Sequence, residues 1–231
     1  MSYININKLH ISTKEKTLVD ISFNIKTSTA LVGESGSGKS LTLKSILKLL
    51  PSNLSVDFDY ESDFELQNKN IGFIPQNPFT SLSPMTKIKN HFFVDNKRVI
   101  EVLKLVDLDE NVLNKFPNQL SGGQIQRVVI AIAISKDVKF LLLDEPTTAL
   151  DLQNRDNIIS LIKKLQENLN LLVLFVTHDI DSIKDLCDEI IIINKGLVIE
   201  TGKTRDVLEN PKSDYTKKLI NSTFTNKNFR E

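Results

Sequence analysis

The first quarter of the chain has the hydrophobic pattern of β-strands. Residues 19–25 carry an apolar side chain at every second position, which is the period of a strand with one buried face. A short apolar run at 30–32 leads directly into a glycine-rich segment. Apolar residues then recur at helical spacing from 43 to 50, and Pro51 is expected to end that helix.

The rest of the chain alternates between strand and helix patterns. Residues 52–70 are polar and are interpreted as a strand edge and a turn, and the stretch from Asn77 to about Lys136 has mostly helical periodicity. The pattern predicts strands at 71–74, 140–144 and 171–176, helices near 152–168 and 180–187, and a final strand pair around Lys195-Gly196. Strands that alternate with helices of this length indicate a largely parallel sheet covered on both faces.

Composition narrows the possible functions. The 231 residues suffice for one generous domain or two small lobes. The 29 basic and 29 acidic side chains give a net charge of zero, which argues against nonspecific electrostatic binding to nucleic acid. The single cysteine, Cys187, excludes an internal disulfide. No signal peptide opens the chain and no apolar run approaches the ~20 residues of a membrane span. We therefore expect a cytosolic protein, which would act at a membrane only as a peripheral protein.

A phosphate-binding loop is predicted between the strand at 30–32 and the following helix. The segment fits the pattern G-x-x-x-x-G-K-[ST], in which glycines let successive backbone N–H groups face phosphate oxygens at a helix N-terminus. Its lysine would reach the β- and γ-phosphates, and its last hydroxyl would ligate Mg²⁺. The alternative is a chance match in a glycine turn, which the flanking strand and helix disfavour. The residues are Gly33, Glu34, Ser35, Gly36, Ser37, Gly38, Lys39 and Ser40.

Two carboxylates end the apolar strand that begins at Phe140. Asp144, at the carboxyl end of the strand, is placed to hold Mg²⁺ through water. Glu145 follows and could orient or deprotonate a water that faces the γ-phosphate. The alternative is a solvated acidic pair at a strand end, which is less consistent with a phosphate loop in the same chain.

A second anion-facing helix start is predicted at residues 120–127, L-S-G-G-Q-I-Q-R. Gly122 and Gly123 would expose backbone N–H groups, and Ser121 would add a hydroxyl. Because the chain already has a phosphate loop, this second site requires a different nucleotide. A dimer in which each subunit closes the other's site is the simplest arrangement.

With these motifs the sequence resembles the ATP-binding subunits of ABC transporters, from about residue 3 to 220. The motifs occur in the family's order: the phosphate loop, the glutamine loop at Gln76, the signature at 120–124, the acidic strand at 140–145, the D-loop at 148–151 and the histidine switch at 176–179. The resemblance implies an α/β fold of the P-loop NTPase class. Its expected parts are a RecA-like core, an N-terminal antiparallel β region and a short helical lobe at about 77–136. The domain would span 1–221, followed by a polar tail at 222–231.

The resemblance also implies roles for individual residues. Glu145, His178 and Gln76 would carry out catalysis, and Ser40, Gln76 and Asp144 would hold Mg²⁺ beside ATP. Asp151 would lie at the dimer seam. Four residues would contact the ATP of the partner subunit: Ser121, Gly122, Gly123 and Gln124.

The sequence departs from the family where an aromatic residue usually stacks on adenine. Residues 10–13 contain none, so we expect either weak selectivity for adenine or stacking by Tyr3 or by a partner. The segments 76–78, 81–84 and 210–219 resemble the peptide and nickel import branch. Two features favour nickel over peptides within this branch. Residues 40–42, Ser-Leu-Thr, continue the phosphate loop as in the nickel importers, and a cysteine-bearing tail is lacking.

Partners follow from the same resemblance. We expect a second, identical or related, ATPase subunit, two integral membrane permeases and an extracytoplasmic solute-binding protein, with no nucleic acid. The chain would lie peripherally on the cytoplasmic face of the membrane. One alternative is an ABC-type ATPase of DNA repair or translation that is not coupled to a permease. Another is a small-molecule P-loop kinase, but that function leaves residues 120–124 unexplained.

Overall fold

The computed structural model describes residues 2–148 and 151–225. The strands are β1 (Ile4–Ser12), β2 (Thr17–Ile25), β3 (Ser28–Val32), β4 (Ser55–Ser62), β5 (Ile71–Ile74), β6 (Phe140–Asp144), β7 (Leu172–Thr177), β8 (Glu189–Asn194) and β9 (Leu197–Lys203). The α-helices are α1 (Lys39–Ile46), α2 (Asn96–Leu105), α3 (Gly122–Ala133), α4 (Leu152–Leu169), α5 (Thr204–Glu209) and α6 (Asp214–Thr225). Short 3₁₀ helices span Pro78–Thr80, Ile88–His91, Glu110–Asn114 and Pro117–Gln119.

The chain divides into two compact units, of which unit 1 comprises residues 1–66 and 172–231. Unit 1 contains an antiparallel sheet in the order β2-β1-β4 and four further strands in the order β7-β3-β8-β9. Strand β3 pairs in parallel with β7 on one side and β8 on the other, and β9 is antiparallel to β8. The predicted N-terminal antiparallel region and the predicted parallel strands are thus both confirmed.

Hydrophobic patterning explains the two kinds of strand in unit 1. In β2, Val19, Ile21, Phe23 and Ile25 are buried while the residues between them are exposed or half-buried, as the alternation predicts. Strands β3 and β7 are buried at every position, which is expected of parallel strands covered on both faces. Strand β9 alternates between exposed and half-buried positions, as suits its place at the end of the strand order.

Helix α1 is shorter than predicted. The sequence pattern suggested a helix up to Pro51, but the helix ends at Ile46. Lys48 adopts a left-handed backbone with φ of 57°. The amides of Lys48 and Leu49 donate to the carbonyls of Ser45 and Lys44, at 3.0 and 2.8 Å. These bonds form a Schellman motif, which satisfies the last helical carbonyls and redirects the chain.

The helix predicted near 180–187 is wrong, because the chain forms successive turns there. The Asp179 carboxylate accepts the Asp181 amide at 3.0 Å, and the Ser182 hydroxyl donates to the Asp179 carbonyl at 2.7 Å. Such local side-chain bonds compete with the helical hydrogen-bond pattern. Cys187 is expected in this helix and instead lies in the turn region, where it is buried. Its burial and the nearby charge of Asp188 raise the pKa of its thiol.

Unit 2 comprises residues 67–171, with β5 and β6 paired in parallel and helices α2 to α4. Helix α3 approaches β5 closely, since a Cβ at Gly72 would lie 2.7 Å from the Ala133 carbonyl oxygen. The Arg98 guanidinium on α2 donates to the carbonyls of Ile134 and Ser135, at 3.2 and 3.0 Å. The stretch predicted to be mostly helical contains α2, α3 and the four 3₁₀ helices.

The end of the chain contains two helices that the sequence pattern did not predict, α5 and α6. Residues 222–225 of the predicted tail belong to α6, and residues 226–231 lie outside the described part of the chain. Within residues 2–148 and 151–225, every helix is too short or too polar to cross a membrane.

Candidate active site

The phosphate loop connects β3 to α1 in unit 1. Gly38 is the N-cap of α1 with φ of 111°, and Gly36 has φ of 78°, a left-handed region that favours glycine. A side chain at Gly33 would collide with the backbone carbonyl of Ile193. The loop therefore follows a path that requires glycine, and it ends where a helix N-terminus directs its N–H groups outward.

Lys39 lies beneath this loop with its side chain buried. Its ammonium group donates to the carbonyls of Gly33, at 2.7 Å, and Glu34, at 3.0 Å. The Ser37 hydroxyl is also buried, and it lacks a hydrogen-bond partner within the described residues. A buried cation and an unsatisfied hydroxyl beside successive backbone N–H groups suit an anionic, multiply oxygenated ligand such as a phosphate chain.

The hairpin between β8 and β9 supports the loop. The Gly196 amide donates to the Ser37 carbonyl at 2.8 Å, and the Gly196 carbonyl accepts the Asp20 amide at 2.7 Å. Gly196 has φ of 77°, and a side chain there would collide with the Leu18 carbonyl. From the sequence, Lys195-Gly196 is predicted only as a turn. The Lys-Gly pair predicts the turn, but nothing local in the sequence predicts its contact with the loop.

His178 follows β7 directly, as predicted for the histidine switch. In the parallel pairing of β3 with β7, Val32 is the register partner of Thr177. Gly33 and His178 therefore leave the carboxyl ends of two adjacent parallel strands at the same level. The His178 side chain is exposed at this edge, where ligands commonly bind in open parallel sheets.

The predicted catalytic residues of unit 2 share a sheet edge in the same way. Ile74 of β5 is the register partner of Leu143 of β6, so Gln76 and Glu145 each lie two residues beyond a paired position. The Gln76 amide donates to the Glu145 carboxylate at 3.0 Å, and the Thr148 hydroxyl donates to the same oxygen at 3.3 Å. The structure thus brings Gln76 and Glu145 together, and it adds Thr148, which the sequence analysis placed only in the D-loop.

Glu145 has an unusual backbone, with φ of 44°. A non-glycine residue in this left-handed region costs roughly 1–3 kcal/mol and persists only where its surroundings hold it. The next residue, Pro146, accepts a hydrogen bond at 3.1 Å from the fully buried side chain of Gln126 on α3. Gln126 lies in the segment 120–127 that contains the signature, but no local pattern predicts its contact with Pro146, which lies 20 residues away.

The signature residues begin α3. The Ser121 hydroxyl accepts the Gln124 amide at 3.3 Å, and the Gln124 side chain accepts the Ser121 amide at 3.1 Å. This reciprocal pair is a capping box. Gly122 and Gly123 occupy the first helical turn, half-buried, with a Cβ on Gly123 reaching 3.4 Å from Asn154. The Ser121 and Gln124 side chains therefore have a structural role in addition to the expected contact with ATP.

Asp151 caps the next helix, α4. Its carboxylate accepts the Asn154 amide at 2.9 Å and the Asn154 side chain at 2.8 Å. Ala149 and Leu150 of the D-loop lie outside the described residues. The bonds to Asn154 orient Asp151, and its expected place at a dimer seam stays a prediction.

Tyr3 does not fit the expected adenine-stacking role. It lines a cavity of 880 Å³ together with Lys26, Thr27 and Asp188, which precede or begin β3 and β8. These residues mark the amino ends of the strands, whereas the phosphate loop follows the carboxyl end of β3. Tyr3 therefore lies at the opposite end of β3 from the loop.

The expected Mg²⁺ ligands fit the ion chemically. Ser40, Gln76 and Asp144 offer a hydroxyl, an amide oxygen and a carboxylate, the hard oxygen donors that Mg²⁺ prefers. The described residues contain no cluster of three or more His, Cys, Asp or Glu suited to a metal. Water and substrate phosphates commonly complete the ligand shell of this ion.

Sequence comparisons agree with these motifs. The family described as ABC transporter matches residues 18–148. The oligopeptide transport ATP-binding protein OppD of Bacillus subtilis is 36% identical over 84% of this chain, and the chain spans 62% of that relative's length. The dipeptide transport ATP-binding protein DppD of Caldanaerobacter subterraneus is 39% identical over 84% of this chain and 68% of its own.

Structure comparisons agree as well. The structure of cbiO1 from Clostridium perfringens, described as part of the ABC transporter complex cbiONQ, has a TM-score of 0.76, with 28% identity and 90% coverage of both chains. A dimeric ATP-binding cassette in a post-hydrolysis state, bound to ADP and Pi, has a TM-score of 0.68 and 31% identity. It covers 89% of this chain and 99% of its own. The family match, the relatives and the fold lead to one conclusion: this chain belongs to the ABC transporter family.

Proposed function

We propose that this chain is the ATP-hydrolysing subunit of an importer for short peptides. The single observation that carries the ATPase assignment is the register of β3 with β7, which aligns the phosphate loop with His178. The proposed cargo is supported by the names of the relatives, oligopeptide and dipeptide transport ATP-binding proteins. Nickel, which the sequence features favoured, stays a prediction that those names do not test.

In this proposal unit 1 binds the phosphates. Lys39 transfers its hydrogen bonds from the Gly33 and Glu34 carbonyls to the β- and γ-phosphates, while the loop amides contact the remaining oxygens. His178 binds the γ-phosphate from the neighbouring strand. The Ser40 hydroxyl, with Gln76 and Asp144, would hold Mg²⁺, which supplies charge neutralisation between the phosphates.

Unit 2 supplies the attacking water. Glu145 accepts hydrogen bonds from Gln76 and Thr148, so its carboxylate is held in one orientation. That carboxylate orients or deprotonates the water in line with the γ-phosphate. Gln76 lies between this carboxylate and the segment that begins at Asn77, so it is placed to report the nucleotide state to the helical part of the chain.

The proposed assembly is a head-to-tail dimer. Ser121, Gly122, Gly123 and Gln124 would contact the γ-phosphate held by the other subunit, and Asp151 would lie at the seam. ATP then joins the subunits, and hydrolysis removes the contact that holds them together. The mate is a second copy or a related subunit.

The permeases would dock on unit 2. Phe79, Met85 and Phe93 are large apolar side chains with exposures of 52%, 85% and 85%. We expect these side chains to contribute to the docking surface, because contiguous exposed apolar patches mark surfaces for protein partners. Two permeases and an extracytoplasmic solute-binding protein would complete the importer, with the ATPase on the cytoplasmic face of the membrane. A role in DNA repair or translation is not favoured, because the relatives are named as transport subunits.

The test of this proposal traps the dimer. Glu145→Gln should bind ATP, hydrolyse it 10²–10⁴-fold more slowly, and form a dimer in light scattering with ATP and Mg²⁺. Adding Ser121→Arg should release monomers, because bulk and charge enter the seam. Ser52→Arg, which adds the same charge in an exposed turn, is the matched control and should leave the dimer intact.

One further variant completes the test. Lys39→Ala should abolish ATP binding in a titration and should remain monomeric. If Glu145→Gln stays monomeric with ATP, even after the related subunit is added, the composite-site mechanism is refuted. Unchanged ATP affinity in Lys39→Ala would refute the phosphate-loop assignment.

A further inference from the structure

The start of helix α6 is fixed by a set of hydrogen bonds that the proposed function leaves unexplained. The Glu200 carboxylate on β9 accepts the backbone amides of Lys212, at 2.8 Å, and Ser213, at 3.0 Å. The Ser213 hydroxyl accepts the Thr216 amide at 2.9 Å, and the Thr216 side chain is fully buried. The first turn of α6 is thus held both to β9 and by its own N-cap.

This turn presents Tyr215 to the phosphate loop. The Tyr215 hydroxyl accepts a hydrogen bond from the Glu34 backbone amide at 3.3 Å, across 181 residues of sequence. Tyr215 is half-buried, and burial raises the pKa of its hydroxyl, so the group is neutral at physiological pH. The segment 210–219, which the sequence analysis noted only as a branch-specific motif, therefore contacts the nucleotide loop directly.

Glu34 is consequently held through both of its backbone groups. Its amide donates to Tyr215, and its carbonyl accepts the Lys39 ammonium at 3.0 Å. When Lys39 turns to the phosphates, the bond to the Glu34 carbonyl is given up. The bond to Tyr215 does not involve Lys39, so it continues to fix the Glu34 peptide plane while the loop closes on its ligand.

We propose that Tyr215 is a positioning residue for nucleotide binding, whose hydroxyl sets the orientation of the Glu34 peptide in the phosphate loop. The inference rests on the proposed function, since it requires that this loop binds ATP. Tyr215 acts on affinity through the loop backbone and does not touch the reacting atoms. The C-terminal helix α6 thereby becomes part of the nucleotide site.

The test measures MgADP affinity by calorimetry, together with kcat and KM for ATP. Tyr215→Phe removes only the hydroxyl and should weaken MgADP binding by about two- to tenfold, the range of one neutral hydrogen bond. KM should rise in proportion and kcat should stay within about twofold. The matched control is Tyr60→Phe, since Tyr60 lies on β4 and its ring packs 5.2 Å from that of Phe58. Tyr60→Phe should leave MgADP affinity, KM and kcat unchanged.

A second variant separates positioning from simple loss of structure. Glu200→Ala frees the start of α6 and should weaken MgADP binding in the same direction, and combining it with Tyr215→Phe should add little, because both act through one contact. The melting temperature of Tyr215→Phe without nucleotide should fall by no more than about 2–4 °C, which is the cost of one hydrogen bond, while its MgADP-induced increase should be smaller than that of wild type. Unchanged MgADP affinity in Tyr215→Phe would overturn the inference, as would a fall in kcat alone. Failure of the wild-type chain to bind MgADP would instead overturn the proposed function.

Discussion

The phosphate loop of unit 1 and the Glu145 cluster of unit 2, which comprises Gln76, Glu145 and Thr148, are held in place by different means. In the loop, close backbone packing sets the path: the Gly196 amide donates to the Ser37 carbonyl, and Gly33 packs against the Ile193 carbonyl. In the Glu145 cluster, side-chain hydrogen bonds set the geometry: Gln76 and Thr148 donate to Glu145, and Gln126 donates to the Pro146 carbonyl. The path of the first region depends on positions without a side chain, whereas the second region depends on side-chain hydrogen bonds.

This difference determines where each region can tolerate change. At Gly33, where the loop packs against a strand backbone, an added methyl group cannot be accommodated without moving the loop or the strand. A cluster joined by side-chain hydrogen bonds can lose one bond and keep its fold, with a cost of about 1 kcal/mol. A substitution at Gly33 should therefore have a large effect, and substitutions in the cluster should have smaller, graded effects.

The largest effect is expected from Gly33→Ala. The added Cβ would collide with the Ile193 carbonyl, and since that atom belongs to a strand backbone, the loop itself must move. Nucleotide affinity should fall by at least about tenfold, in line with overpacking costs of about 1–3 kcal/mol. Gly36→Ala is the control, because a Cβ there meets no atom within 4 Å and is disfavoured only by its φ of 78°. Equal losses in the two variants, measured by calorimetry with MgADP, would contradict the packing explanation.

An intermediate effect is expected from Gln126→Leu. The substitution keeps a side chain of similar size in the buried site but removes the hydrogen bond to Pro146. The free energy of unfolding should fall by about 1–2 kcal/mol, and ATP turnover should fall several-fold, because the turn that carries Glu145 loses a support. Urea unfolding and steady-state hydrolysis measure the two effects. Gln166→Leu on α4 is the control, and a turnover loss as large in that variant would show that the Pro146 contact is not the cause.

The smallest effect is expected from Glu200→Gln, and it depends on pH. Burial raises the pKa of Glu200, but the hydrogen bonds from Lys212, Ser213 and Thr216 outweigh it and lower the pKa below its ordinary 4.5. The lowered pKa stabilises the folded state above pH 4.5, and that stability is lost as the pH falls through the folded-state pKa. Wild type should therefore melt at a higher temperature than Glu200→Gln at pH 7, and the gap should close as the pH falls below about 4.5. Glu61→Gln, at an exposed position of β4, is the control, and a gap that persists in acid would contradict this account.

Sequence patterns predicted the parts of the fold that local periodicity determines. The alternation in β2, the buried strands β3 and β7, and the end of β6 at Asp144 all follow from spacing and hydrophobicity. The same reasoning failed where a few side chains redirect the backbone. The turns after Asp179 and the left-handed Lys48 at the end of α1 depend on individual hydrogen bonds, which a hydrophobic pattern does not encode.

The candidate site was predictable to a similar extent. The motifs gave the positions of Gln76 and Glu145, and the parallel register explains why they meet. The residues that support them were missed, because their contacts cross long stretches of sequence. Gln126 has no local signature of its bond to Pro146, and Tyr215 has none of its bond to Glu34.

The long-range supports of the phosphate loop have a consequence for the order in which the chain is made. The loop residue Glu34 meets Tyr215 only across 181 residues, and Ile193 and Gly196 are nearly as distant. At a synthesis rate of roughly 5–20 residues per second, these supports leave the ribosome about 10–40 seconds after the loop. The nascent loop therefore lacks these supports until residues 193–215 have been translated. Completion of the loop's final shape is a late step in the synthesis of this part of the chain.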